Sequence, residues 1–234
     1  MSTYGMPSYE IDPRGVRELE PDVLDARGRM KVLPASFWAE TTYEERALFG
    51  HRQGIYSFPT VELVEELSAL IAGRRAIEIG AGHGVLAEAL GIPATDSKQQ
   101  NRAKYRAIYE LTGQPPVKYG RNVTQLDARA AVRRYRPEVV IGCWVTHKYD
   151  PRRHWASGNE AGIDEADVIA NTGLYVVIGN ERVHASKAIW DLPHRVTHAA
   201  FLYSRAAPGS REFLAMWPNS ARPAAEQPVL PQDA

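Results

Sequence analysis

Cysteine is almost absent from this 234-residue chain: Cys143 stands alone, so no disulfide can close within it and no cysteine-rich metal site can be built. Long apolar runs are missing too. No stretch approaches the roughly 20 consecutive apolar residues that cross a bilayer, and the start, Met1 to Gly5, lacks the basic flank and apolar run of a secretory signal. Net charge is also lacking, with 28 basic side chains against 28 acidic ones, so no chain-wide field draws the protein to nucleic acid or an anionic membrane. His147, His154 and His184 are too scattered for compact metal-ligand spacing, and no metal is expected. These absences read as a soluble, cytoplasmic protein with no membrane partner.

The length suits one well-buried α/β core with elaborations. Residues 1–55 read as an N-terminal arm: 1 to about 35 mix acids, glycine and proline without sustained periodicity, and residues 50–54 are a candidate cover for an active site. A helix is expected between Ser36 and Gly50. Order strengthens at Pro59: Thr60 is placed to cap a helix carrying Val61, Val64, Leu67, Leu70 and Ile71 at helical period, ended by Gly73. From Pro218 onward the Ala/Pro-rich composition reads as a disordered tail.

Between these ends, strands and helices alternate. Arg75 to Ile79 reads as a buried strand, followed by a glycine turn and a short helix. A brief strand at 92–95 ends on Asp96, and Ser97 is placed to cap a helix to about Leu111 whose buried stripe would be Ala103, Ala107, Ile108 and Leu111. A third strand is expected between Val117 and Leu126, a helix from Ala128 to Tyr135, a central strand over Val139–Val145, a helix around Ile163–Ala170 and a strand over Leu174–Gly179. Residues 194–204 suit one or two antiparallel strands, and Glu212–Trp217 a short edge strand or a turn of helix. The expected fold is α/β, Rossmann-like and doubly wound, with a mostly parallel sheet, antiparallel C-terminal strands and helices on both faces, filling residues 56–217. On that frame Gly80–Gly84, Asp96, Asp127 and Cys143–Trp144 all follow strand ends and converge on one rim.

The glycine segment Ala76-Ile77-Glu78-Ile79-Gly80-Ala81-Gly82-His83-Gly84 has G-x-G-x-G spacing, not the G-x-G-x-x-G of a dinucleotide fingerprint. Glycines permit a tight turn and close backbone approach to a bulky cofactor. A carboxylate inside an apolar strand is expensive unless hydrogen bonded, so Glu78 is expected to support the turn from below. Here the sequence resembles the class I S-adenosylmethionine-dependent methyltransferases over roughly Phe58 to Gly179. The resemblance implies that Glu78, Gly80, Ala81, Gly82 and Gly84 surround the cofactor's methionine portion and approach its ribose. It further implies that Asp96, with Ser97, grips the ribose hydroxyls, that Asp127 and Ala128 lie at the adenine, and that Tyr56 and Thr60 cover or contact the cofactor. Each acid also has an ordinary reading: Asp96 can start a helix, and Asp127 can cap one. His83 lies beside the cofactor without thereby being a base.

The same resemblance makes the segment after the fourth strand, Gly142 to Asp150, the one that faces cofactor and acceptor. It lacks the Asn or Asp, two prolines and aromatic residue of the enzymes that methylate nucleic-acid amino groups. Cys143 would adjoin the cofactor. Trp144, His147, Asp150, His154 and Asn180 are candidates for acceptor binding, with His147 the leading base because it titrates near neutral pH and Tyr149 a second catalytic candidate. The expected function is methyl transfer from S-adenosylmethionine to a compact small-molecule acceptor, with a protein or RNA acceptor left open. A nicotinamide-dependent oxidoreductase and a noncatalytic methyltransferase-like binding subunit are the alternatives.

Overall fold

The computed structural model describes residues 11–111, 113 and 115–219. In chain order its elements are α1 (Glu20–Val23), α2 (Ala35–Ala39), α3 (Tyr43–Gln53), β1 (Ser57–Phe58), α4 (Val61–Ile71), β2 (Ala76–Ile79), α5 (Val85–Leu90), β3 (Ala94–Asp96), α6 (Ala103–Leu111), β4 (Val123–Gln125), α7 (Ala128–Tyr135), β5 (Val139–Cys143), α8 (Glu165–Asn171), β6 (Leu174–Asn180), β7 (Arg195–Thr197), β8 (Tyr203–Ser204) and β9 (Glu212–Pro218). The main sheet has seven strands in the order β4-β3-β2-β5-β6-β9-β7. From β4 to β6 the neighbours are parallel, whereas β9 runs antiparallel to both β6 and β7. This is a doubly wound α/β fold, and its winding reverses between β2 and β5.

Alternation along the strands divides the core into two layers. Val139 and Ile141 of β5, with Val176 and Ile178 of β6, face Leu63, Leu67 and Leu70 of α4 and Leu86 of α5. Val140, Tyr175 and Val177 face the opposite way, onto Ala131 and Val132 of α7 and Val168 of α8. Thr60 caps α4 by accepting the Leu63 N–H at 3.1 Å. The helix ends one residue before the expected glycine, at Ala72, which takes the left-handed conformation itself (φ 48°).

Several expectations are corrected. The helix expected over Ser36–Gly50 is two helices, because Thr42 and Glu45 form a reciprocal capping box that starts α3 afresh. The strand expected between Val117 and Leu126 shrinks to three residues, since its first half lies over the glycine turn, with the Gly120 N–H on the Gly82 carbonyl at 3.3 Å. Ser97 does not cap a long helix: Lys98 turns left-handed, a 3-10 turn covers Gln99–Asn101, and α6 then buries none of its residues. Strand β5 stops at Cys143 instead of Val145, and α8 begins at Glu165, after Ile163 has bridged to His147. Nor is Glu212–Trp217 an edge: β9 lies between β6 and β7 with five of its seven residues buried.

Residues 11–55 fold into three helices around a shared cluster of Leu19, Val23, Met30, Trp38 and Phe49, which Phe58 and Val85 join. Trp38 stacks on Phe58 with ring centroids 4.5 Å apart. Strand β1 pairs antiparallel with β8 in a separate two-stranded sheet. At the other end, Pro218 pairs with Leu174 and the Asn219 N–H donates to the Gly173 carbonyl, so the expected tail begins inside the sheet. Its remainder, 220–234, and the first ten residues lie outside the described ones.

Candidate active site

The ends of β2, β3, β4 and β5 open into a cavity of about 600 Å³ at the point where the winding reverses. Ligands of open α/β sheets bind at that position. The glycine turn forms its floor. Gly80 has φ 62°, and a Cβ there would stand 2.8 Å from Val145 Cγ1, so both its conformation and its space demand glycine.

Two carboxylates stand in the wall beside this turn. Glu78 is 2% exposed, points to the α5 side of the sheet, and accepts the Ala87 N–H at 3.0 Å. Burial pushes its carboxyl up to about 8, against that one amide bond, with the Asp96 charge adding to the rise. Asp96 accepts the Gly82 N–H on Oδ2 at 3.1 Å and the Lys98 N–H on Oδ1 at 2.7 Å. Its carboxyl is also raised by burial, opposed by those two amides. Asp96 therefore ties the glycine turn to the end of β3 and does not start a helix.

Several backbone amides at this turn have partners inside the protein. Ala81 N–H donates to the Thr95 carbonyl at 3.0 Å and Gly84 N–H to the Ala81 carbonyl at 2.8 Å. In the first turn of α5, the Val85 N–H donates to His83 Nδ1 at 3.2 Å, Ala87 to Glu78, and Glu88 to the Gly84 carbonyl at 3.2 Å. Desolvation, with Arg29 adding to it, holds the His83 imidazole down at about 4. A neutral ring accepting a backbone amide is a structural part of the turn.

Further along the rim, Ser97, Asp127 and Ala128 line the cavity. Asp127 also caps α7, accepting the Ala130 N–H at 2.8 Å, so the ordinary reading of this acid is realised in a residue that also lines the cavity. On the far side are Tyr56, Cys143 and Trp144. Burial pushes the Cys143 thiol up to about 12, which makes it an unreactive wall residue. The Arg205 guanidinium lies 3.8 Å from the Tyr56 ring centroid, Trp144 stacks on Tyr56 at 6.2 Å, and the Tyr56 side chain hydrogen bonds to Tyr109 and Arg205. Trp144 has φ 55°, a conformation that strands rarely hold without a functional or packing reason.

Other expected site residues do not reach the cavity wall. Thr60 is fully buried in its cap, donating to the Phe201 carbonyl at 2.9 Å, and Gly84 caps α5 behind the turn. His147 turns its Nε2 to the Ala156 carbonyl at 3.2 Å, and burial followed by the Lys187 charge lowers its pKa. Tyr149 bonds His154 Nδ1 at 2.9 Å, and Asp150 caps the next 3-10 turn and pairs with Arg152 at 3.0 Å. Asn180 is sealed at the end of β6 by Glu212, Ser210 and the Arg182 and Val183 amides. Residues not singled out from the sequence take part as well, Gln100, Tyr109 and Tyr119 on one side and Asn159 on the other, where Lys148 of the expected acceptor segment and Glu160, an acid the sequence also offered as a candidate, line the wall. The two sides touch, with Lys104 of α6 paired to Glu160 at 2.9 Å and the Tyr105 hydroxyl donating to Asn159 Oδ1 at 3.3 Å. Among the described residues no cluster of three or more metal-binding side chains occurs, and no helix is long and apolar enough to cross a membrane.

No protein-family model matches the chain, and no curated protein matches it. Among solved structures, partial similarity is found to the Pyrococcus abyssi tRNA (uracil-54, C5)-methyltransferase in complex with S-adenosyl-L-homocysteine. That likeness has a TM-score of 0.35 and 16% identity, covering 67% of this chain and 37% of that one. The chain thus spans well under half of that enzyme, and a likeness so partial concerns the course of the backbone alone.

Proposed function

We propose that the cavity binds S-adenosylmethionine and that the protein transfers its methyl group to a compact acceptor lying against Trp144. The observation that carries this reading is the chemistry of the glycine turn. A dinucleotide needs free amides at the turn and the following helix to hold its pyrophosphate. Here the Ala81, Gly82, Gly84, Val85 and Ala87 amides are engaged by protein groups, and the Asp96 carboxylate would repel a phosphate. Asp96, and Glu78 whose raised pKa a nearby cation brings down, favour a ligand with cationic groups, hydroxyls to donate and no phosphate. S-adenosylmethionine fits on each count, and when bound it supplies a methyl group activated by its sulfonium.

In this reading Glu78 attracts the cofactor's ammonium through the turn, Asp96 accepts from the ribose hydroxyls, and Asp127 accepts from the adenine amine. Tyr56 and Trp144 wall the end where the acceptor enters. A cavity of about 600 Å³ is in the range of small-molecule sites, roughly 300–1,000 Å³. His147 and Tyr149 are engaged elsewhere, which favours transfer by orientation, the acceptor being nucleophilic without a histidine base.

Calorimetric titration with S-adenosylhomocysteine and with NADH tests the cofactor class. Binding of S-adenosylhomocysteine at micromolar concentration, on the order of common enzyme ligands, is expected. Tight NADH binding with no response to S-adenosylhomocysteine would overturn the reading. Incubation with methyl-labelled S-adenosylmethionine and fractionated cell extract, followed by mass spectrometry, identifies the acceptor.

A further inference from the structure

Beneath the wall, Lys187 is buried with its side chain fully enclosed, and its Nζ donates to Glu165 Oε2 at 2.8 Å and to the Val145 carbonyl at 2.9 Å. The other oxygen of Glu165 accepts the Tyr175 hydroxyl at 2.9 Å. A buried ion pair is costly to desolvate, and apolar residues of similar volume often serve stability as well. Stability alone therefore does not account for it.

What the pair holds is the turn at the end of β5. The Trp144 N–H donates to the Ile178 carbonyl at 2.9 Å, and one residue further on the Val145 carbonyl is the one Lys187 grips. Trp144 is thus pinned on both sides in its left-handed conformation. The Val145 side chain in turn fills the space over Gly80 and Gly142, where added Cβ atoms would meet it at 2.8 and 3.0 Å. One ammonium group therefore fixes a residue that touches the glycine turn and its neighbour that walls the acceptor end.

We propose that Lys187 is a positioning residue: held by Glu165, it sets the Val145 carbonyl and so holds Trp144 and Val145 in register with the glycine turn. This rests on the reading that the cavity is a cofactor and acceptor site. It predicts that the ion pair acts on ligand affinity and on the surroundings of the Trp144 ring, beyond any effect on folding.

The test compares the wild-type protein, Lys187→Met and Leu70→Ala, the last a cavity under the final turn of α4, at the end of the sheet away from the glycine turn, that provides a control for general destabilisation. Two readouts are taken well below each melting temperature: S-adenosylhomocysteine affinity, and Trp144 emission obtained by subtracting the spectrum of the same protein carrying Trp144→Phe. Lys187→Met is expected to weaken affinity about tenfold, as small displacements within a site do, and to shift Trp144 emission to the red as the ring leaves Tyr56 and His184. Leu70→Ala is expected to leave both near wild type. Wild-type affinity and emission in folded Lys187→Met, or losses no larger than those of Leu70→Ala, would overturn the proposal. If Lys187→Met does not fold, Lys187→Met/Glu165→Leu removes both charges together and is read in the same way. Should the wild-type protein itself not bind S-adenosylhomocysteine, the cofactor reading fails, while the Trp144 emission still decides whether Lys187 sets the turn.

Discussion

At the scale of single residues, the burial of Glu78 has consequences for both pH and ligand. Its folded carboxyl titrates at about 8, against an ordinary 4.5. Below about 4.5 both folded and unfolded chains hold the proton. As pH rises, the unfolded chain ionises first, and stability is lost up to the folded value near 8. The melting temperature of the wild-type protein relative to Glu78→Gln should therefore fall between pH 5 and pH 8, and a pH-independent difference would show that Glu78 is ionised in the fold. An ammonium placed over the turn favours the Glu78 carboxylate, so binding of S-adenosylhomocysteine, which carries that ammonium, should release a proton near pH 7 and tighten as pH rises. Calorimetry in two buffers of different ionisation heat checks this, and identical heats would exclude Glu78 from the ligand's electrostatics. Asp96→Ala tests the neighbouring carboxylate. It should weaken S-adenosylhomocysteine binding about tenfold or more, since hydrogen bonds to charged groups are worth about 1.5–3 kcal/mol, while circular dichroism stays native. Unchanged affinity would remove its ribose role.

At the scale of elements, α6 is the outlier. None of its residues is buried, and Ile108 and Leu111 face solvent at 47% and 87% exposure. Its ties across the cavity are Lys104 with Glu160, an exposed pair of the kind that contributes little to stability, the Tyr105 hydroxyl on Asn159 and the hydrogen bond between Tyr109 and Tyr56. Hydrogen exchange should therefore find α6 opening far more readily than β5 or β6, whose residues are almost all buried; protection in α6 equal to theirs would mean that the helix is anchored by more than these contacts. The same helix marks where the sequence stops being legible. Strands β5 and β6 and the turn after β2 are readable because β-branched runs and glycine spacing are local signals. The apolar stripe of α6 has the right period, yet whether a stripe is buried depends on what the chain lays against it. Likewise β9 reads as an edge until its pairing with β6 and β7 is known. His147 follows the end of β5, but the left-handed turn at Trp144 and the pairing of residues 147–148 with 159–163 take its ring to the Ala156 carbonyl. A tryptophan gives no signal for such a turn. Tyr109, Tyr119 and Asn159 reach the cavity on long-range paths that no local pattern marks.

At the scale of the whole molecule, the N-terminal helices reach the cavity directly at Gly54, the cap of α3, and also act on it through one short strand. Trp38, Phe49 and Phe58 pack together, and Phe58 belongs to β1; its chain neighbours Tyr56, Ser57 and Pro59 stand in the cavity wall. Strand β1 is held in turn by β8, whose Ser204 hydroxyl donates to Glu212 of β9 at 2.6 Å. The wall is therefore suspended between the N-terminal cluster and the main sheet. Trp38 is fully buried, and Trp38→Ala should cost about 3–5 kcal/mol. For a chain of this size that lowers the melting temperature by roughly 6–20 °C. If the cluster sets the wall, S-adenosylhomocysteine affinity measured well below the new melting temperature should fall as well, because Tyr56 loses the support that holds it against Trp144 and Arg205. A variant that melts earlier yet binds as the wild type does would make residues 11–55 a stabilising attachment with no part in shaping the site.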